Sequence, residues 1–106
     1  MAHYLFSASY THAGLEGLAK EGAASRVKQI DKTIKSLGGK VEAMYWTFGD
    51  ADVMVLVELP DNAAAAALST TVAAAGVACV RTTVLLTADE VDAALAKHPK
   101  YRAPGA

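Results

Sequence analysis

The chain has 106 residues, ten basic and eleven acidic, so its net charge at pH 7 is −1. A chain of this length forms one domain with a core of its own. The near-neutral charge gives no broad attraction to nucleic acid or anionic lipid, so neither is an expected partner. No apolar run approaches the ~20 residues that a membrane span needs, so a soluble protein with no membrane association is expected.

Hydrophobic residues make up 53% of the chain, an amount that favours oligomerisation as a way to cover apolar surface. The single cysteine, Cys79, cannot form an internal disulfide. The first residues lack the basic region and long apolar core of a secretory signal. These features predict a cytoplasmic protein.

The first part of the chain predicts a strand followed by two helices. Residues 3–10 alternate between two sides as a strand does. Thr11 can cap a short helix, which Gly22 interrupts before a longer helix over residues 23–37. The pair Gly38-Gly39 then supplies a helix stop.

The segment 41–59 predicts an antiparallel hairpin. It consists of two runs rich in β-branched and aromatic residues, joined by the turn Gly49-Asp50-Ala51-Asp52. In the second run both alternating sides are mostly apolar, which is typical of a central strand covered on each side.

The remaining chain predicts a helix, a strand and a last helix. Asp61 is a candidate N-cap for an alanine-rich helix that ends at Gly76, and residues 77–86 read as the fourth strand. The segment 87–90 matches a capping box that opens a helix to about Ala96. The domain is therefore expected to span residues 1–97, with a tail over 98–106.

The order of these elements, βαββαβ with a C-terminal helix, predicts an α+β fold of the ferredoxin-like type. Its four-stranded antiparallel sheet carries helices on one face only. Because several strands are apolar on both sides, the bare sheet face is expected to meet the same face of a second copy, giving a homodimer.

Four local features together resemble the GYD domain family over residues 3–96. They are the Lys20-Glu21-Gly22 break, the helix stop at 36–40, the FGDADV turn at 48–53 and the strand ending at 82–87. The resemblance implies a dimeric α/β barrel, a superfamily of cofactor-independent monooxygenases, small isomerases and cyclases, haem enzymes and proteins without known activity. The family's turn usually reads glycine, any residue, tyrosine, aspartate, whereas Ala51 stands at the tyrosine position here.

The turn and the main helix supply the charged candidates for a site. Asp52 begins an apolar strand, where a partly desolvated carboxylate can act as a general base or anchor a ligand, with Asp50 beside it. Both carboxylates can equally serve to form the turn. Val27 is expected to begin the inward face of the longer helix, and Arg26 lies at the border of that face. Its guanidinium group can donate two parallel hydrogen bonds to a carboxylate or enolate. The alternative is a solvated arginine on a basic outer face.

Aromatic residues supply the polar groups of a possible cavity. Tyr10 ends strand one, so its hydroxyl can lie at a cavity mouth with Tyr45 and act as a proton donor. His3 can join them, or simply be exposed near the terminus. His3, His12 and His98 share no ligand spacing, so no metal and no cofactor are expected, although haem binding through His3 or His98 is a weaker alternative.

Two functions remain open from the sequence. The first is a small-molecule-binding protein or cofactor-independent enzyme that holds an apolar or aromatic ligand, with Asp52 and Tyr10 as catalytic groups and Arg26, Tyr45, His3 and Asp50 as ligand contacts. The second is a non-catalytic dimerisation or regulatory module in which the same residues only maintain the fold. A closed cavity lined by these side chains would favour the first.

Overall fold

The computed structural model describes residues 1–106 as four strands and four helices that follow the predicted order. The elements are β1 (Ala2–Tyr10), α1 (His12–Glu21), α2 (Ala23–Ser36), β2 (Lys40–Trp46), β3 (Val53–Leu59), α3 (Asn62–Ala74), β4 (Ala78–Leu85) and α4 (Ala88–Leu95). The predicted boundaries agree with these to within one or two residues. None of the helices is long and apolar enough to cross a membrane.

The strands form one open antiparallel sheet in the order β2-β3-β1-β4. β3 lies between β2 and β1, and these two strands are connected in sequence by α1 and α2. β1 pairs with β3 on one side and with β4 on the other. Helices α1, α2 and α3 pack on one face, which we call the helix face. The chain is thus an α+β protein with a second, helix-free sheet face, called the open face below.

The core lies between the helix face and α2 and α3. Tyr4, Ile34, Val57 and Leu59 are at most 1% exposed, and they join Phe6 and Val55 in one cluster. Burying each of these side chains contributes about 1.5–3 kcal/mol. The Tyr4 hydroxyl donates a 2.6 Å hydrogen bond to Asn62, so the one polar atom of this group has a partner.

A β-bulge interrupts the pairing of β2 with β3. Val41 pairs with Val57, whereas Ala43 pairs with Leu56, so Glu42 is an extra residue in β2. The extra residue reverses the alternation of β2 beyond it. Met44 and Trp46 therefore pack with Val41 against the core, while Tyr45 is 69% exposed on the open face.

The predicted caps start three helices. Thr11, Asp61 and Thr87 each accept a backbone N–H of the first helical turn, and Glu90 completes the capping box by accepting the Thr87 N–H at 3.0 Å. That backbone hydrogen bond, together with the Thr87 hydroxyl, holds the pKa of the Glu90 carboxyl below its ordinary value.

The prediction for the face of α2 needs a correction. Val27 was expected to point inward, but it is 39% exposed, whereas Arg26 is half-buried on the same stripe as Ile30 and Ile34. These three residues are spaced by four, one per turn of an α-helix. The correction places Arg26 on the inner side of α2 rather than at its border.

The C-terminal helix projects from the body. α4 contains no buried residue, and Val91 and Leu95 on it are 41% and 66% exposed. The radius of gyration is 16.8 Å, compared with about 13 Å for a compact domain of this length. The apolar side of α4 therefore has no covering partner within the chain.

Helix α1 lies unusually close to the start of β4. The Thr11 N–H donates to the Val77 carbonyl at 3.0 Å, and the Thr11 hydroxyl donates to the Gly76 carbonyl at 2.8 Å. One turn later, a Cβ at Gly14 would overlap the same Val77 carbonyl oxygen. Only glycine fits this contact without moving the helix.

We predict that Gly14→Ala and Gly17→Ala have opposite effects. Gly14→Ala should lower the free energy of unfolding by about 1–3 kcal/mol through overpacking. Gly17→Ala should raise it by about 0.5–1 kcal/mol, because a Cβ there meets no other atom and alanine favours the helix. Urea unfolding of both variants measures this. Equal effects of the two substitutions would contradict the close approach of α1.

Candidate functional site

An apolar cavity of about 360 Å³ lies between the helix face of the sheet and helices α1, α2 and α3. Fifteen of its nineteen lining residues are hydrophobic. The lining residues are Phe6, Ala8, Tyr10, Ala13, Gly14, Gly17, Leu18, Glu21, Arg26, Ile30, Met44, Val53, Val55, Leu68, Val72, Ala75, Val77, Ala78 and Val80. The small residues of α1 leave this space open, since they bring no side chain over the sheet.

Arg26 and Glu21 are the only charged residues that line this cavity. They flank the break between α1 and α2 at Gly22, with 3.6 Å between Arg26 Nη1 and Glu21 Oε1. Their side chains are 34% and 32% exposed, so the pair lies where the cavity meets solvent. Glu21 also accepts a hydrogen bond from the Ser25 hydroxyl at 2.9 Å.

Tyr10 is the third polar group of the cavity. Its hydroxyl accepts a 3.1 Å hydrogen bond from Trp46 Nε1, and both residues are half-buried. The indole N–H has no acceptor function, so it fixes the phenol oxygen and leaves the phenol proton free to be donated. Tyr10 can therefore orient or protonate an oxygen of a molecule in the cavity.

Asp52 directly precedes β3 and lies beside the end of the neighbouring strand β1. It does not line the cavity. Its Oδ2 accepts the Tyr10 N–H at 2.8 Å, and its own N–H donates to the Ala8 carbonyl at 2.8 Å. Asp52 thus extends the pairing of β3 with β1 by one residue. Its carboxylate holds the backbone of Tyr10 in place.

Three other predicted site residues lie on the opposite face of the sheet. Tyr45 and His3 project from the open face, and Asp50 lines a groove there of about 490 Å³. The groove is larger in volume than the cavity but more polar, with nine lining residues, of which three are hydrophobic. Ala51, at the position of the family tyrosine, lines this groove as well.

The six predicted residues therefore do not form one site. Tyr10 and Arg26 share the cavity, Asp52 supports Tyr10 from outside, and the other three lie behind the sheet. Tyr45 was misplaced because simple alternation from Val41 puts it on the helix face, and the bulge at Glu42 reverses that alternation. Nothing in the local sequence marks the extra residue.

Glu21 and Trp46 are site residues that the sequence analysis missed. Trp46 lies in the predicted hairpin, and the same bulge directs its indole N–H to the Tyr10 hydroxyl. Glu21 was part of the helix break and received no chemical role. Its position five residues before Arg26, across a glycine, was the available signal for an ion pair.

We predict that Asp52→Ala lowers the free energy of unfolding by about 1.5–3 kcal/mol, the range for a hydrogen bond to a charged group. Asp50→Ala is the matched control, since Asp50 is exposed in the same turn, and it should change stability by less than about 0.5 kcal/mol. Urea midpoints at constant m-value compare the two. If Asp52→Ala is as stable as Asp50→Ala, the Tyr10 contact does not hold the turn.

The comparisons with known proteins agree with the resemblance in the sequence. The family model described as the GYD domain matches residues 4–95. No curated protein and no solved structure matches the chain at a significant level. The match includes every strand and helix except the first two residues of β1, and on that basis the chain belongs to the GYD domain family.

Proposed function

We propose that the protein binds a small apolar molecule with an anionic group in the cavity on the helix face. The observation that carries this proposal is an apolar cavity whose only two charged lining residues are Arg26 and Glu21. Ligand sites in proteins have this composition, with mostly hydrophobic walls and a few polar groups that set orientation. The cavity holds the apolar part of the ligand, and Arg26 holds its anionic end.

The pairing of Arg26 with Glu21 leaves room for such a ligand. A half-exposed ion pair at 3.6 Å is worth little, at most about 1 kcal/mol. A ligand carboxylate or enolate accepts two parallel hydrogen bonds from the guanidinium fork, a stronger geometry than the existing contact. Glu21 then turns to solvent or to Ser25, which already donates to it.

A cofactor-independent reaction in this cavity would use Tyr10. Tyr10 lines the cavity, and its hydroxyl keeps its proton available because Trp46 donates to the oxygen. Asp52, the other residue predicted to be catalytic, acts as a positioning residue through the Tyr10 backbone. Tyr10 is thus the proton donor or orienting group of this proposal.

The test compares two probes of similar shape, the carboxylate naphthoate and the neutral alcohol naphthalenemethanol. Trp46 is the single tryptophan and contacts Tyr10, so its fluorescence reports on the cavity. Arg26→Ala should weaken naphthoate binding about 10- to 100-fold, the equivalent of a charge-assisted hydrogen bond of about 1.5–3 kcal/mol. Glu21→Gln should strengthen it, because the competing carboxylate loses its charge.

The controls distinguish binding by the apolar walls of the cavity from binding by the charge of Arg26. Lys28→Ala, on the exposed side of α2, should leave naphthoate binding unchanged. The alcohol should bind the native protein and the Arg26 variant equally. A lower melting temperature of Arg26→Ala with unchanged naphthoate affinity would show that Arg26 is structural. If neither probe binds the native protein, the cavity is not a ligand site.

We also propose that two copies of the chain pack through their open sheet faces. A row of apolar side chains, Ala43, Leu56 and Leu5, crosses the middle of this face, with Met54 and Tyr45 beside it. The face is less uniformly apolar than the sequence predicted, since Ser7, Arg81 and Thr83 lie on it too. Such an apolar row, like the uncovered side of α4, supports association with a second copy.

This packing corresponds to a dimeric α/β barrel of ferredoxin-like subunits. The strand order β2-β3-β1-β4, with β3 inserted in the β1-α-β2 unit, supports the ferredoxin-like arrangement. The alternative function, a non-catalytic dimerisation module, would use the same open face and leave the cavity empty. Probe binding in the cavity distinguishes these two functions.

Sedimentation at micromolar concentration should show twice the mass of the 11.0 kDa chain. Leu56→Glu should produce monomers, because it places a charge in the centre of the apolar row. Lys32→Glu, on the exposed surface of α2, is the control and should remain dimeric. A native protein that sediments as a monomer at this concentration would contradict the proposed interface.

A further inference from the structure

A histidine and two glutamates from three different strands meet on the open face, away from the cavity. His3 Nδ1 lies 2.7 Å from Glu42 Oε1, and His3 Nε2 lies 3.9 Å from Glu58 Oε1. One ring nitrogen and one oxygen of each carboxylate all lie within 4.8 Å of one another. We call these three residues the His3 cluster.

The sheet builds this cluster from residues far apart in sequence. His3 of β1 and Glu58 of β3 are directly opposite in the antiparallel register. Glu42 is the bulged residue of β2, and its hydrogen bond to His3 shows that it is directed to the open face. Val41 before it packs against the core, so the alternation of the strand places Glu42 on the open face.

The charges of the cluster are not balanced. Two carboxylates share one imidazole, and Glu58 forms an ion pair with no lysine or arginine. Lys40 is the residue of β2 opposite Glu58, yet its ammonium is in no ion pair. The side chains of His3, Glu42 and Glu58 are 27%, 34% and 29% exposed, so water screens their repulsion only in part.

We propose that the His3 cluster binds a divalent transition-metal ion of the Zn²⁺ type. One imidazole nitrogen and two carboxylate oxygens are a donor set that suits zinc and its neighbours, whereas calcium and magnesium prefer oxygen alone. The ion supplies the positive charge that the two carboxylates lack. This site was not expected from the sequence, because Glu42 is 39 positions from its partner His3.

The geometry needs only side-chain rotation to hold the ion. With zinc–ligand bonds of about 2.0–2.1 Å, tetrahedral ligand atoms are about 3.4 Å apart. The donor atoms now lie within 4.8 Å of one another, so the longest distance between two of them must shorten by about 1.4 Å. Rotation about the χ angles of the two glutamates can produce this change. The imidazole offers one nitrogen and each glutamate one oxygen to the ion, and water supplies the fourth ligand.

The proposed ion would connect β2, β3 and β1 at one end of the sheet. It lies on the opposite side of the sheet from Arg26 and Tyr10, so it does not depend on the function proposed for the cavity. Because an ion that binds only the folded chain raises its stability by mass action, zinc should increase the melting temperature.

The experiment is calorimetric titration of tag-free protein with Zn²⁺ in a buffer without chelators. The native protein should bind one ion per chain. Three variants, His3→Ala, Glu42→Gln and Glu58→Gln, should each weaken zinc binding by at least about 10-fold. Removing a residue that only supports a metal ligand already costs about 10-fold, so removing a ligand itself should cost no less. Glu42→Gln keeps the shape of the side chain, so it remains informative if His3→Ala unfolds.

His12→Ala is the matched control. His12 and Glu16 also form a histidine–carboxylate pair, at 2.6 Å, but they are 88% and 69% exposed on α1 and have no third ligand nearby. This variant should bind zinc as the native protein does and show the same rise in melting temperature. Binding that survives in Glu42→Gln and Glu58→Gln, or that is lost in His12→Ala, would overturn the proposal, as would a native protein that binds no zinc.

Discussion

The extra residue in β2 determines what each face of this sheet carries. Because Glu42 is inserted between Val41 and Ala43, the residues that follow it change sides. Trp46 consequently reaches the Tyr10 hydroxyl on the helix face, and Tyr45 leaves that face. Glu42 itself projects to the open face beside His3. A regular β2 continuing from Val41 would have placed Tyr45 on the helix face and Trp46 on the open face.

The two faces of the sheet have different chemistry as a result. The helix face carries an apolar cavity with one charged pair and one phenol, which suits a small molecule with an apolar body. The open face carries an apolar row, a polar groove and the His3 cluster, which suit association and ion binding. Asp52 directly precedes β3 and lies beside the end of β1, where its carboxylate holds the backbone of Tyr10.

Local signals in the sequence predicted the elements of the fold but not the membership of the site. Caps at Thr11, Asp61 and Thr87 and the glycine stops marked the helices because these signals act within a few residues. The grouping of Arg26 with Tyr10 was also predictable, since both lie at element ends. Tyr45 was misplaced because a bulge has no local signature and changes the side of every later residue in the strand. The His3 cluster depends on strand register, which sequence spacing does not report.

We propose that the ligand binds on the helix side of the sheet, in the cavity beside Tyr10. A ¹⁵N-resolved NMR titration with naphthoate tests it directly, because the single Trp46 gives one indole N–H resonance beside Tyr10. We expect this resonance and the amides of Gly14 and Gly17 to shift together, while the amides of Arg81 and Thr83 in the open-face groove do not shift. Shifts confined to the groove, or no shift of the indole resonance at saturating probe, would contradict it.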